Sequence, residues 1–189
     1  MSRRAVIAAL SLASLTACEA DPAKRADTPP TPTPSTQQTW LCGREYANMA
    51  WGYQRRGVVL DMAGNIWRYE ISPAAVTLPW SPKDMSRLSA ADLKMRYETA
   101  MTTGKKVPQE EIARHFALIE EASNATPTEP SPVGADMGQN ILYCYTYDAP
   151  TRTYGQVMLD NTGDWDSTNP SEAAKMLKTW LDGALGEVK

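Results

Sequence analysis

The side chains in this sequence that could do chemistry are few and scattered. Its single histidine, His115, has no neighbour at ligand spacing, whereas a zinc centre or a nucleophile–base pair needs a second group held at a fixed offset. His115 lies beside an apolar stripe and reads as a packed or surface residue. Asp160, Thr162, Asp164 and Asp166 place oxygen atoms at alternate positions, as a calcium loop would. An EF-hand needs Gly at its sixth position and Glu at its twelfth, and this chain has Trp165 and Ser171 there. The plainer reading of Asp160, Asp164 and Asp166 is a solvated turn; no metal, cofactor or catalytic residue is expected. Nucleophile-elbow, phosphate-loop, zinc-protease and dinucleotide motifs are absent from the sequence. The 6 Trp and 8 Tyr could stack on a sugar, but most are spaced as core residues.

The N-terminal stretch says more. Ser2-Arg3-Arg4 is followed by an apolar run, Ala5 to Leu15, shorter than the roughly 20 residues of a membrane-spanning helix. A charged start and a short apolar core describe a secretory signal. The run closes on Leu15-Thr16-Ala17-Cys18, which resembles the lipobox of bacterial lipoproteins. That resemblance implies a signal peptide over residues 1–17 that is cleaved, and a Cys18 that carries diacylglycerol on sulfur and an acyl group such as palmitate on its new amine. Two or more buried chains anchor a protein stably in a bilayer. The residue after Cys18 is Glu19, not Asp, which by the family's sorting rule implies the outer membrane, with the domain facing the periplasm.

With 19 Lys+Arg against 22 Asp+Glu the chain is acidic, and it lacks the basic cluster of a nucleic-acid binder. Arg55-Arg56 and Lys105-Lys106 are isolated pairs that read as solvated. Once Cys18 is given to lipid, Cys42 and Cys144 remain. An even count in an oxidising compartment suggests a disulfide, with two buried thiols as the alternative.

Three segments follow from composition. Residues 1–17 are the signal, and 18–39 form a tether whose alternating Thr and Pro from Thr28 to Ser35 favour extended polyproline II. Residues 40–189 form one globular domain. Within it, Trp40–Tyr53 reads as a short helix then a strand. Gly57–Asp61 and Ile66–Ile71 flank the turn Met62–Asn65 and predict a β-hairpin, and Pro73, Pro79 and Pro82 mark a loop. Ser89 with Asp92 predicts a capped helix, stapled by Leu88 on Leu93, with a stripe of Leu93, Tyr97, Ala100 and Met101 and an exit at Gly104. A second helix starts at Pro108, carrying Ile112, Phe116 and Ile119. A long loop, Ser123–Asn140, precedes a second hairpin of Ile141–Tyr147 and Tyr154–Asp160. A last helix is capped by Asn169. The expected fold class is α+β, an antiparallel sheet built from two β-hairpins with about three helices packed on one face.

The function these features imply is that of a membrane-anchored lipoprotein with a non-catalytic binding or structural domain in the cell envelope. Its partners would be the bilayer, through acylated Cys18, and an envelope protein or glycan. The alternatives are an immunity or inhibitor lipoprotein against an envelope-targeting toxin, and a cell-wall glycan hydrolase, whose paired carboxylates no sequence motif marks.

Overall fold

A computed structural model describes residues 35, 37–50, 54–71 and 84–186. The signal and lipobox, most of the tether, the loop prolines Pro73, Pro79 and Pro82, and the end of the Trp40–Tyr53 stretch lie outside these residues.

The backbone is organised by β1 (Trp40–Asn48), which pairs antiparallel with β2 (Gln54–Asp61) on one side and with β7 (Gln139–Asp148) on the other. Sequence reading expected a helix at its start. A central strand is buried on both faces and shows no alternation of apolar and polar residues. Here Leu41, Cys42, Gly43, Glu45, Ala47 and Asn48 are all buried. The two predicted hairpins form: β2 turns into β3 (Asn65–Glu70), and β7 turns into β8 (Thr153–Gly163).

The sheet is larger than two hairpins. Among the described residues it has nine strands, all pairings antiparallel, in the order β5-β3-β2-β1-β7-β8-β9-β6, with β4 (Leu88–Ser89) also on β8. The additions are β5 (Met101–Lys106), β6 (Ser131–Pro132) and β9 (Trp165–Thr168). β5 replaces the second half of the first predicted helix. The capping box at Ser89 and Asp92 is present, but the helix, α1, stops at Arg96. Met101 is 70% exposed on the outer strand, and the β-branched Thr102-Thr103 pair continues as strand, as such residues favour.

The α+β class holds, and the helices lie on both faces. Side chains alternate across each strand. One face presents Cys42, Val58, Leu60, Leu142, Cys144 and Leu159 to α2 (Gln109–Ser123) and α3 (Glu172–Leu185), which add Ile112, Ile119, Leu177 and Leu181 to the same core. The other presents Val59, Tyr69, Tyr143, Tyr145 and Tyr154 to α1 (Ala90–Arg96) and a single 3-10 turn, Asp84–Ser86, which add Leu93 and Met85, with Tyr97 following α1. The expectation of helices on one face failed because α1's short stripe carries no sign of which face it meets.

Asn169 does not cap α3. Ser171 does, its hydroxyl accepting from the Ala174 amide at 3.1 Å, while Asn169 donates to the Ala122 carbonyl at 2.9 Å and so ties the end of α2 to the approach to α3. Cys42 and Cys144 face each other across β1 and β7 and are disulfide-bonded, 102 residues apart in sequence. A cross-link of that span stabilises chiefly by restricting the unfolded chain. Replacing both by alanine should lower the unfolding free energy by about 2–4 kcal/mol, measured by urea unfolding. An unchanged midpoint would show that the bridge contributes nothing to stability.

Candidate functional site

Two features share the α1 face: a buried polar centre, and a groove that begins where that centre ends. Glu45 and Arg55, from neighbouring strands, are 0% and 1% exposed. Arg55 donates to Glu45 Oε1 from Nε at 3.0 Å and from Nη2 at 2.5 Å. Arg96, at the last turn of α1, donates from Nη2 to Glu45 Oε2 at 2.9 Å, and the Tyr69 hydroxyl donates to the same oxygen at 2.9 Å. Arg55 was expected to be solvated beside Arg56; it is instead half of this buried pair.

From Tyr69 a buried chain of hydroxyls continues: Tyr69 to Tyr143 at 2.9 Å, Tyr143 to Tyr97 at 2.9 Å, and Tyr97 to Tyr145 at 2.7 Å. A carboxylate only accepts, and each phenol has one proton to give. The chain therefore has one direction: Tyr145 donates to Tyr97, Tyr97 to Tyr143, Tyr143 to Tyr69 and Tyr69 to Glu45. Two glycines make room for it. A Cβ on Gly43 would sit 2.7 Å from the Tyr143 hydroxyl oxygen, and one on Gly57 2.7 Å from that of Tyr69.

Burial pushes the phenols of Tyr69, Tyr97, Tyr143 and Tyr145 above their ordinary range, with neighbouring Glu45 or phenol groups adding to it and the Arg96 charge opposing it. For Arg96 burial alone would favour the neutral form, but Glu45 and the surrounding tyrosines overcome it and hold the guanidinium protonated. Its carbon lies 5.7 Å from the Tyr143 ring centroid and 6.0 Å from that of Tyr97.

Arg96 also lines a groove of about 1300 Å³. Ala47 of β1, Met49 just after it, Ile141 of β7 and Met158 of β8 supply apolar wall, Met85 stands beside Arg96, and Trp165 lines the groove as well. Met49 is 58% exposed and Trp165 49%. Val133 and Met137, also exposed, are held next to them because their amides donate to the backbone and side-chain oxygens of Asp164, which lines the groove as well. The groove thus has an apolar mouth, a mostly apolar wall and a cation at its base.

The candidate calcium loop is not assembled. Asp160 accepts from Lys178 Nζ at 2.6 Å, Asp164 from the amides of Met137 and Gly138, and Asp166 from the Gly163 amide at 3.2 Å. Among the described residues no group of three or more His, Cys, Asp or Glu side chains is arranged to hold a metal ion. His115 stacks on Trp180 with ring centroids 4.3 Å apart and planes 2° from parallel, and its Nδ1 is 2.8 Å from the Glu111 carbonyl oxygen, so it joins α2 to α3. Cys18 lies outside the described residues. Sequence reading missed Glu45, Arg96 and the tyrosine chain. The available signals were the charged pair Arg44-Glu45 inside the otherwise apolar run Trp40–Tyr46 and the alternation Tyr143-x-Tyr145-x-Tyr147.

What fold and site together define is an α+β domain with a covered antiparallel sheet, a buried ionic centre and an adjoining groove. No protein-family model, curated protein or solved structure matches the chain.

The buried phenols make a pH prediction. Their folded-state pKa values lie above those of the unfolded chain, so their stabilisation is whole below about pH 10 and is lost as pH rises further. Each can remove up to about 1.4 kcal/mol per pH unit in that range. Phenolate absorbance and far-ultraviolet circular dichroism should change together in one cooperative step. Smooth ionisation of every tyrosine with the fold intact would contradict the hydroxyl chain.

Proposed function

We propose that this chain is a lipid-anchored envelope protein whose domain binds a component of the envelope in the groove on the α1 face, without catalytic turnover. The observation that carries the reading is the groove itself. Soluble monomers rarely leave contiguous large apolar side chains exposed, and such a patch at the rim of a concave site is the usual mark of binding. Methionine is well suited to the task because its flexible thioether adapts to different shapes. Two of the carboxylates near the groove are already engaged, which supports binding over hydrolysis. Asp164 spends its oxygens on backbone amides, and Glu45 is shared by two guanidiniums and a phenol. A glycosidase needs one carboxyl poised as acid and a second free to act on the sugar.

The anchor rests on the lipobox resemblance at Leu15-Thr16-Ala17-Cys18. Among the described residues no helix is long and apolar enough to cross a membrane, so membrane attachment would come from lipid on Cys18. Cell fractionation of a Cys18→Ser variant tests this: the protein should leave the membrane fraction and keep an unprocessed N-terminus. Processing at the same bond with continued membrane association would overturn the anchor.

The groove is tested separately by photo-crosslinking in intact cells. A crosslinking amino acid in place of Trp165, at the mouth, should capture an envelope component, whereas the same group in place of Met176, exposed on α3, should not. Capture from both positions, or from neither, would remove the groove from the proposal.

A further inference from the structure

Arg96 is satisfied on one side only. It is 2% exposed, and Nη2 is bound to Glu45, but Nε has no hydrogen-bond partner. Nη1 is turned on the thioether sulfur of Met85 at 3.8 Å. A thioether is a weak acceptor, and a buried donor on a charged group is the most costly kind to leave without a good one. Met85 lines the groove together with Arg96, and its side chain has three rotatable bonds with which to move aside. A second orphan is close by in the fold. Gln156 also lines the groove, beside Tyr145 in the β7–β8 register, and its buried Oε1 has no partner. Turning that amide over would present its NH2 group instead.

We propose that the groove binds a long-chain carboxylate, a molecule of fatty-acid chemistry, whose head group takes the place of the Met85 sulfur on Arg96 and whose tail runs along Ile141 and Met158 toward Met49 and Trp165. This rests on the reading of the groove as the binding site, and names its ligand class. Charge complementarity selects the head. Arg96 has Nε without an acceptor and Nη1 on a thioether only, so an anionic acceptor beside it is favoured, and a carboxylate accepts charge-assisted hydrogen bonds well. For the tail, Ile141, Met158, Met49 and Trp165 offer apolar contact area among the polar residues that also line the groove. The volume of about 1300 Å³ exceeds the roughly 300–1,000 Å³ of ordinary small-molecule sites. An extended peptide would also fit apolar walls, but it gives no reason for a buried cation at their base.

The test uses the full chain carrying Cys18→Ser, stripped of co-purifying lipid and kept free of detergent. A dansyl-labelled undecanoate serves as fluorescent probe and is displaced by palmitate, by hexadecanol, which has the same chain with an uncharged head, and by acetate, the head without a chain. Palmitate should bind roughly tenfold to a hundredfold more tightly than hexadecanol, the range expected for a hydrogen bond to a charged group, and acetate should not compete. Arg96→Met should bring palmitate down to the hexadecanol level while hexadecanol is unchanged, and Met158→Trp, which fills the groove, should weaken both. Should Arg96→Met not fold, the palmitate-to-hexadecanol ratio in the parent and the Met158→Trp comparison still decide the matter. Equal affinities, or no saturable binding of the probe, overturn the proposal. If palmitate fails while a crosslinker at Trp165 still marks an envelope component, groove binding stands and the carboxylate assignment falls; failure of both experiments removes both.

Discussion

Glu45 is the group on which the α1 face depends. A carboxylate at 0% exposure has lost its hydration, and several kcal/mol of desolvation must be offset by direct partners. The offset comes from three different parts of the chain: Arg55 on the adjacent strand, Tyr69 on the strand beyond it, and Arg96 on the helix between β4 and β5. None of these is in place unless β1, β2, β3 and α1 are all assembled. An apolar replacement of matched shape would often be no less stable. What the ionic centre adds is uniqueness: only one position of α1 over the sheet brings Arg96 to Oε2 while letting Tyr97 reach Tyr143 and Tyr145.

The two sides of the sheet solve different problems. The α2 and α3 side is closed mainly with aliphatic residues and holds the disulfide. The α1 side is filled with hydroxyls, guanidiniums and thioethers. Such groups accommodate a polar neighbour that a purely aliphatic core would reject. Arg96 belongs to both regions: its Nη2 completes the Glu45 cluster, and the residue also lines the groove. A ligand that altered the position of Arg96 would therefore act on the same hydrogen bonds that set α1.

Legibility followed the physics of each segment. The hairpins were readable because Gly57–Asp61 and Ile66–Ile71 surround a short Gly-containing turn, and Gly64 adopts φ 88°, a conformation that favours glycine. The capping box at Ser89 was readable because it is a local device. The length of α1 was not, since Tyr97 leaves the helix in order to place its ring among Tyr69, Tyr143 and Tyr145, a demand made by distant residues. The helix read at Trp40 failed for the same reason: both faces of β1 are covered, and only the tertiary structure shows this. Arg55 and Arg96 look like ordinary surface residues until Glu45 is placed between them. The groove has no sequence signature at all, because its walls come from β1, β7, β8, α1, the Trp165 strand and the segment that follows α2.

The position of β1 in the strand order also imposes a sequence of events on a chain made from its N-terminus. β1, β2 and β3 are consecutive and can pair as soon as they exist, but the second neighbour of β1 is β7, whose Cys144 follows Cys42 by 102 residues. In the interval one edge of what will be a central, buried strand stands open. An open apolar edge is a template for association with other chains. Long-range strand pairing of this kind is slow because loop closure precedes any gain in contact. The newborn chain is thus most exposed to aggregation midway through its synthesis, and whatever holds it at that stage has to cover β1 until β7 arrives.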